Sequence, residues 1–259
     1  MPNLTLWLGL AAAGAVLAWS LFQPGAKTIF DLHGLVIVIG GAAAAMLIST
    51  PAGHLFSAVR TFMWTLIPGK LPSPDEITGE LLRLSRKARA EGGLLALRDE
   101  SPLFAGGFLK RALSAAQSSG DTAGAREIIE LEIKRRRVQR TEDANVFRTL
   151  GLLAPMFGLL GTLIGMLRVL QSMTEPTKLG PAMALALSSA FIGIALANFL
   201  CVPIAGQIRL LSMRETQMLE MILEGVLEIA ANRPTYIVQL KLEAFMGRPA
   251  AAAAGGERG

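Results

Sequence analysis

Two long uncharged apolar runs constrain this chain more than any other feature of its sequence. The first covers residues 149–167 and the second covers residues 179–208, and neither contains Asp, Glu, Lys, Arg or His. A bilayer core of roughly 30 Å accommodates about 20 residues of α-helix, so each run is long enough to span a membrane. Residues 168–178 separate the two runs, and Pro176 and Pro181 suit a turn there. The sequence therefore predicts a hairpin of two transmembrane helices.

Two further apolar runs, residues 4–22 and 32–51, predict a second hairpin near the N-terminus. A cleaved secretory signal would carry a basic segment ahead of its apolar run and would precede a soluble domain. Here only Met-Pro-Asn precedes the first run, and another apolar run follows almost at once. We therefore expect an all-α polytopic membrane protein with four transmembrane helices, at about residues 4–22, 32–51, 149–172 and 179–205.

The basic residues are distributed unevenly, and their placement predicts a topology. Fifteen of the 25 Lys and Arg residues lie between positions 51 and 147, and six more follow position 204. The short connections at 23–31 and 172–180 hold one lysine each. Because cytoplasmic loops are enriched in Lys and Arg, residues 52–148 and both termini are expected in the cytoplasm and the two connections outside. The basic character thus reflects topology and not binding to nucleic acid.

Local signals divide the polar parts of the chain into helices. Ser73 and Glu76 have the spacing of a capping box, and Gly92-Gly93 is expected to end the helix that follows. A second helix is predicted over residues 103–116, and Asp121 is expected to cap a third that continues into the membrane. The predicted domains are a hairpin at 1–51, a cytoplasmic helical domain at 52–148, a second hairpin at 149–208, a cytoplasmic helical tail at 209–246 and a disordered tail at 247–259.

Three apolar segments at this spacing carry a resemblance to one family. They read APMFGLLGTLIGML at 154–167, LGPAMALAL at 179–187 and ALANFLCVPIA at 195–205. Together they are similar to the MotA/PomA family of flagellar motor stator A-subunits, which is related to TolQ and ExbB in the MotA/TolQ/ExbB proton channel superfamily. The resemblance implies a multi-pass protein of the bacterial inner membrane, part of a unit that converts ion flow into torque.

The residues themselves indicate no enzyme. The sequence contains no GxSxG, HExxH or P-loop motif, and its only histidines are His33 and His54. We therefore expect no catalytic residue, no metal site and no cofactor. Ion flow through hydrocarbon requires an acid or a ring of ligands, and the interiors of the four predicted spans hold no carboxylate. If this chain lines an ion pathway, another chain must supply the titrating group.

The resemblance names that other chain. It implies a MotB/PomB-like B-subunit with an aspartate in its single membrane helix, five A-subunits around two B-subunits, and a rotor switch-complex protein of the FliG type as the target of the torque. Spans without acidic residues, with helix faces made of small residues, also favour a homopentamer around the B-subunit helices. The small residues are predicted to serve close packing; they are Gly158, Gly161, Gly165, Gly193 and Ala197.

The resemblance assigns an ion pathway to three hydroxyl residues. Thr162 matches a position that is threonine in sodium-type stators and often alanine in proton-type ones. Ser188 and Ser189 lie where the fourth span of the family carries adjacent hydroxyls, but Ala190 stands at the second position of the usual pair. Because Na⁺ needs several oxygen ligands whereas a proton needs only a carboxylate and water, the missing hydroxyl favours H⁺ over Na⁺. Packing of the hydroxyls against helix carbonyls is the alternative.

Two prolines and a charged cytoplasmic segment complete the predicted site. Pro155 and Pro203 match family prolines that bend a helix or expose a carbonyl oxygen. The family's rotor-facing pattern reads Ala-Arg-x-x-Gly-x-Leu-Ala-Leu-Glu, and here Arg89 matches its arginine. One extra residue follows, and Arg98 stands where the glutamate is expected, so Asp99 or Glu100 would have to replace it.

Two other functions remain open from the sequence. One is a TolQ/ExbB-like subunit that energises a process other than flagellar rotation, and the other is a membrane scaffold without ion coupling. TolQ and ExbB have one span ahead of their cytoplasmic domain, whereas this chain has two apolar runs there, which favours the flagellar type. The basic run at 134–137 predicts either a solvated face or a rim that meets an acidic partner.

Overall fold

A computed structural model describes residues 4–22, 32–66, 71–97, 100, 102–174 and 176–247, and every regular element in those ranges is helical. The α-helices are α1 (Leu4–Leu21), α2 (Leu32–Leu35), α3 (Gly41–Ser49), α4 (Ala52–Leu66), α5 (Pro74–Ala90), α6 (Phe108–Ser118), α7 (Thr122–Gln171), α8 (Pro176–Ala195), α9 (Val202–Ala230) and α10 (Thr235–Phe245). Two π-helical segments join α2 to α3 and α8 to α9, at Val36–Gly40 and Leu196–Cys201, and short 3₁₀ segments cover Leu94–Leu97 and Phe104–Gly107. The all-α prediction is confirmed.

The chain divides into two compact units. The first contains residues 1–69 and 139–211, and the second contains residues 70–138 and 212–259. The α4 segment and the stretch 139–148, which the sequence assigned to the cytoplasmic domain, therefore pack in the first unit with the apolar helices.

The first unit is apolar on its outside. Three stretches of its helices are long and apolar enough to cross a membrane, within Leu32–Ser49, Thr122–Gln171 and Leu179–Ala230, and α1 contains a shorter apolar stretch, Trp7–Trp19. Its buried cluster is small and centres on Val38, Ala154 and Ile192. Large apolar side chains instead point outward along these helices, as expected for surfaces that meet lipid or other chains and not water.

The second unit has the core of a soluble domain. Apolar residues at helical spacing on α5, α6, α7, α9 and α10 form one buried cluster, which includes Leu81, Phe108, Leu113, Ile222 and Leu242. Gly225 of α9 allows the close approach of α5, because a Cβ there would lie 2.5 Å from the Leu81 side chain. Burial of this cluster stabilises the helical unit by removing apolar surface from water.

Several helix ends follow the local signals in the sequence. Ser73 accepts a hydrogen bond from the Glu76 amide at 3.2 Å, and the Glu76 carboxylate accepts one from the Ser73 amide at 2.7 Å, which confirms the capping box. Gly92 and Gly93 adopt positive φ after the end of α5. Asp121 accepts a hydrogen bond from the Gly124 amide at 2.7 Å and so caps α7, as predicted.

Two predicted boundaries are wrong. The helix predicted over 103–116 begins only at Phe108, because Ala105 and Gly106 have left-handed φ values of 50° and 63° that interrupt the helical path. Pro181 is not part of the interhelical turn; it lies inside α8, which already begins at Pro176. Pro176 takes the first helical position, which suits proline, whereas Pro181 lacks the N–H that would donate to the Thr177 carbonyl oxygen, and α8 continues past it without that hydrogen bond.

Candidate functional site

The α7–α8 hairpin is held together by backbone-to-backbone packing at glycines. A Cβ on Gly193 would lie 2.6 Å from the Ala154 carbonyl oxygen, and a Cβ on Gly158 would lie 2.9 Å from the Ser189 carbonyl oxygen. Both distances are shorter than real Cβ contacts, so only glycine fits. The small residues let the two apolar helices approach closely within one chain.

The remaining small residues lie on the same inner side of the hairpin. A Cβ on Gly161 would lie 2.5 Å from the Ser189 side chain, and one on Gly165 would lie 2.7 Å from the Ala186 Cβ. Ala197 is buried as well. Gly161 and Gly165 therefore pack closely against α8 within the chain.

Ser188 and Ser189 lie together on the buried side of α8. A Cβ on Gly34 of α2 would lie 2.8 Å from the Ser188 Oγ and 3.1 Å from the Ser189 Oγ. Both serines are buried, and the Ser188 Oγ has no hydrogen-bond partner among the described residues. The serines therefore pack against two helices, with Gly34 on one and Gly161 on the other. No sequence pattern indicated the contact with Gly34.

Thr162 lies elsewhere on the hairpin, between the glycine face and the outer face of α7. Its Oγ1 donates a hydrogen bond to the Leu159 carbonyl oxygen at 2.6 Å, one turn back on the same helix. Leu159 and Leu163, on either side of it, are exposed. This back-bonded geometry is the packing alternative that the sequence left open. The three predicted pathway hydroxyls thus divide into a buried pair and a separate, half-buried threonine.

The two prolines have different local effects. Helix α7 continues through Pro155 as a single helix of 50 residues. Pro203 follows the π-helical segment Leu196–Cys201, in which the Val202 amide reaches back to the Ala197 carbonyl oxygen. In a regular α-helix, a proline ring clashes with the carbonyl four residues earlier. The π turn widens the helix just before Pro203 and so makes room for its ring. Next to it, the Asn198 side chain donates a hydrogen bond to the Ile194 carbonyl oxygen at 3.0 Å.

A buried carboxylate next to the third apolar run was not predicted from the sequence. Asp143 is 1% exposed, and its Oδ2 accepts a hydrogen bond from the Thr61 Oγ1 of α4 at 2.5 Å. Arg140 donates to the same hydroxyl at 2.8 Å, and its guanidinium lies 4.4 Å from the centre of the Trp64 ring. The Thr61 hydroxyl therefore links a buried anion to a cation. The only sequence signal was that Asp143 is the last acid before residues 149–167.

The predicted rotor-facing residues have different environments. Arg89 is exposed in the last turn of α5. Glu100 accepts hydrogen bonds from Lys87 and Arg83, both at 2.7 Å. These hydrogen bonds hold the pKa of the Glu100 carboxyl below its usual value. Glu100 is therefore paired with cations of its own domain. Of the two candidates, Arg89 is the one that is exposed to solvent. The predicted roles of Arg98 and Asp99 fall on positions outside the described residues.

The second unit contains a network of charges between three helices. Glu224 of α9 accepts hydrogen bonds from Arg126 of α7 at 2.8 Å and contacts the Lys241 ammonium of α10 at 2.6 Å. Burial alone would raise the pKa of the Glu224 carboxyl, but the two cations together outweigh it and lower that pKa. Within the basic run, Arg136 pairs with Glu132 at 2.8 Å and lies over the Phe108 ring. Part of the basic run is therefore structural.

Among the described residues, no three His, Cys, Asp or Glu side chains are grouped so that they could hold a metal ion. The arrangement comprises an acid-free hairpin with an inner face of small residues and an outer face of leucines and methionines. Helical faces of that kind can pack against further transmembrane helices.

Comparison with known proteins agrees with this architecture. The family described as the MotA/TolQ/ExbB proton channel family matches residues 101–221. Chemotaxis protein PomA of Vibrio alginolyticus is 27% identical over 249 residues, which are 94% of this chain and 95% of PomA. Motility protein A of Borreliella burgdorferi is 29% identical, with 90% of this chain and 89% of that protein covered.

Two solved structures have the same fold over nearly the whole chain. A chain of the flagellar MotAB stator complex from Bacillus subtilis gives a TM-score of 0.84 at 25% identity, with 97% of this chain and 98% of that chain covered. A chain of C. jejuni MotAB also gives a TM-score of 0.84, at 22% identity, with 94% of this chain and 95% of that chain covered. The chain is therefore similar over nearly its whole length to PomA and Motility protein A, and its residues 101–221 match the model of the MotA/TolQ/ExbB proton channel family.

Proposed function

We propose that this chain is the A-subunit of an ion-driven rotary stator unit, which converts ion flow across the inner membrane into torque on the flagellar rotor. Its similarity to stator A-subunits extends over nearly the full length of both chains. The observation that carries the mechanism is that the apolar runs 149–167 and 179–208 contain no acid. The ion-binding carboxylate then comes from a MotB/PomB-like B-subunit.

The outer face of α7 supports a helical partner in the membrane. Large apolar side chains repeat along it at spacings of three and four residues and are exposed, namely Leu152, Met156, Leu159, Leu163, Met166 and Leu170. Such a stripe fits the side of another helix. We assign this stripe to the B-subunit helix, in a complex of five A-subunits and two B-subunits. Native mass spectrometry of the purified complex checks the stoichiometry, and a functional monomer or tetramer would exclude it.

The proposed topology has four spans, with both termini and residues 52–148 in the cytoplasm and residues 23–31 and 172–180 outside. The support is the uneven distribution of Lys and Arg. Labelling of single cysteines in a Cys201→Ser background tests it. We expect no labelling from outside at positions 80 and 215, and labelling there by an impermeant reagent would reverse the orientation.

We further propose that the transported ion is H⁺. Ala190 offers no hydroxyl at the second position of the usual pair, so one oxygen ligand for Na⁺ is missing. Ser188 and Ser189 are packed against Gly34, on the buried side of α8. Few oxygen ligands are then available to replace the hydration shell of Na⁺, whereas a proton needs only the partner's carboxylate and water.

Ion uptake by vesicles that contain the chain and its B-subunit tests the function and the ion together. We expect proton uptake that persists when K⁺ replaces Na⁺ at constant pH and that stops when the membrane aspartate of the B-subunit is changed to asparagine. Uptake that depends on Na⁺ would overturn the choice of ion. Normal assembly without any ion flux would identify a scaffold instead of a motor.

We assign Arg89 to the contact with a rotor switch-complex protein of the FliG type. It is exposed, whereas Glu100 is paired with Lys87 and Arg83. Charge reversal by Arg89→Glu is expected to abolish swimming while leaving ion uptake intact. The matched control is Arg86→Glu, on the preceding turn of the same helix and also exposed, which should leave swimming largely unchanged.

A further inference from the structure

A half-open cavity of about 240 Å³ lies in the first unit, between α1, α2, α8 and the two π-helical segments. Helix α1 contributes Ala13, Gly14 and Leu17, and every described residue that lines the cavity is Ala, Gly, Leu, Ile or Phe. A Cβ on Gly14 would meet no neighbouring helix or side chain of the described residues within 4 Å. The packing of these helices therefore leaves room in front of Gly14 that no side chain fills.

The two π-helical segments explain why these helices do not close on each other. Leu35 borders the first segment and Ile39 lies within it, whereas Leu196 and Leu200 lie within the second, and all four line the cavity. Closely packed α-helices mesh through ridges of side chains that repeat every three or four residues. A π turn widens the helix and interrupts such a ridge. Two interrupted ridges face the same space here, and the gap that they leave is the cavity.

The cavity lies on the side of α8 that faces away from α7. Gly193 of α8 contacts the Ala154 backbone of α7, and the cavity-lining Phe191 and Ala195 lie two residues before and after Gly193. At about 100° per residue, both are turned roughly 160° from Gly193 around the helix. The cavity is therefore separate from the outer face of α7, which the proposed function assigns to the B-subunit helix.

The cavity opens onto apolar surface at the depth of the hydrocarbon. Its walls come from the interiors of the apolar runs 4–22, 32–51 and 179–208. The cavity-lining Ile39 and Leu200 are 45% and 39% exposed, and α1 exposes Val16 and Trp19 next to the cavity. In the proposed topology such apolar surfaces meet lipid. The cavity is therefore continuous with the surface that contacts the lipid chains.

The apolar walls decide what can fill the cavity. A buried water needs about two to four polar partners, and the described side chains of the wall offer none. An empty void loses dispersion contacts along its lining, so an apolar molecule of matching shape is bound favourably. An apolar cavity of about 150 Å³ takes up benzene, so one of about 240 Å³ holds a hydrocarbon segment of roughly eight to ten carbons. In a bilayer, the acyl chains of the lipids supply such segments.

We propose that this cavity binds the end of one acyl chain of a membrane lipid. Its described side chains recognise hydrocarbon and not a headgroup, because none of them is polar or charged. The bound chain end fills the gap between α1 and the π-helical segments and so links α1 to the second hairpin. This inference goes beyond the proposed function and rests on its membrane topology.

Photo-crosslinking from the lipid tests the proposal. The full chain with its B-subunit is reconstituted in phosphatidylcholine vesicles, in which a small fraction of the lipid carries a carbene-forming diazirine at the end of one acyl chain. Mass spectrometry maps the adducts at Phe191 and Phe199 of the cavity wall and at Val16, which is exposed on α1 and does not line the cavity. We expect adducts at all three positions in the unmodified chain.

Gly14→Leu fills the cavity with a side chain of the protein itself. Because two groups cannot share a close-packed space, the adducts at Phe191 and Phe199 should decrease about fivefold relative to Val16. Gly9→Leu is the matched control, since Gly9 lies on the same helix, a Cβ there also meets nothing within 4 Å, and it does not line the cavity. This control should leave the ratio unchanged.

Ala195→Leu is the second variant, and it narrows the cavity from the side of α8. It should lower the adducts at Phe199 relative to Val16 in the same way, and it decides the question if Gly14→Leu does not assemble. A decrease with neither variant, or an equal decrease with Gly9→Leu, would mean that the labelling does not come from a chain end in the cavity.

Two further results would overturn the proposal and have different meanings. Adducts at Val16 without any at Phe191 and Phe199 would mean that lipid does not enter the cavity, as when a second copy of the chain covers it. The proposed function would then stand. No adducts at Val16 in an assembled complex would mean that α1 does not lie in the bilayer, which would contradict the proposed topology as well.

Discussion

At Gly193 the backbone of one apolar helix meets the backbone of another, and this contact leaves no room for a side chain. Gly193→Ala would place a Cβ 2.6 Å from the Ala154 carbonyl oxygen, which belongs to the backbone and cannot rotate away. We expect a loss of about 1–3 kcal/mol from overpacking, measured as a lower Tm of the purified complex.

Gly206→Ala is the matched control for that substitution. Gly206 also lies in a helix of the first unit, but a Cβ there would meet nothing within 4 Å. Because alanine is the better helix former, Gly206→Ala should leave the Tm unchanged or raise it slightly. A similar decrease in Tm for both variants would show that the close approach at Gly193 is not the cause.

The hydroxyl of Thr61 forms a second contact whose contribution to stability a single substitution can test. It donates to Asp143 and accepts from Arg140, so Thr61→Val would leave a buried carboxylate without its hydrogen bond. We expect Thr61→Val to cost about 1–3 kcal/mol, seen as a lower Tm, and Thr61→Ser to restore most of it.

Thr78→Val is the control for the change at Thr61. The Thr78 hydroxyl donates to the Pro74 carbonyl oxygen of its own helix, α5, so its loss leaves no buried charge without a partner. This control should have little effect on the Tm. Equal stability of the valine and serine variants at position 61 would contradict the hydrogen-bonded link.

At the scale of elements, the start of α6 depends on an alanine in an unfavourable backbone conformation. Ala105 has a φ of 50°, a region in which L-residues are strained by about 1–2 kcal/mol. We therefore expect Ala105→Gly to raise the Tm. Ala115→Gly, inside the regular helix α6, should lower it through a loss of about 0.5–1 kcal/mol. If both variants are destabilised alike, the left-handed turn at 105 is not present in solution.

At the scale of the whole molecule, the charge network around Glu224 predicts that the second unit loses stability at low pH. The pKa of Glu224 is lower in the folded state than its ordinary value of 4.5 because of Arg126 and Lys241. The stability that Glu224 gains from Arg126 and Lys241 is therefore present above pH 4.5. It is lost as the pH falls through the lower pKa that Glu224 has in the folded state. Glu224→Gln should lower the Tm at pH 7 and make it less dependent on pH between about 3 and 5.

Glu127→Gln provides the comparison for Glu224→Gln, because Glu127 is exposed on the same unit. Its effect on the Tm should be small at every pH, since exposed charges contribute little. An unchanged pH profile for Glu224→Gln would mean that another group controls the acid unfolding.

Helix ends could be predicted from the chain wherever their signals are local. Ser73 and Glu76 form their capping box, Asp121 caps α7, and Gly92 with Gly93 follows the end of α5. These signals depend on neighbours within four residues, and the long apolar runs depend only on composition. For that reason the all-α fold and the resemblance to one family both follow from the amino-acid sequence alone.

The buried faces of the apolar helices, in contrast, were settled only by packing in three dimensions. A helix that is apolar all round has no polar side to mark its outside, so the sequence could not tell that Ser188 and Ser189 face Gly34 while Thr162 faces its own backbone. Nor could spacing show that Asp143 is buried or that Glu100 is paired with Lys87. Such partners are distant along the chain, and only packing of the folded helices brings them into contact.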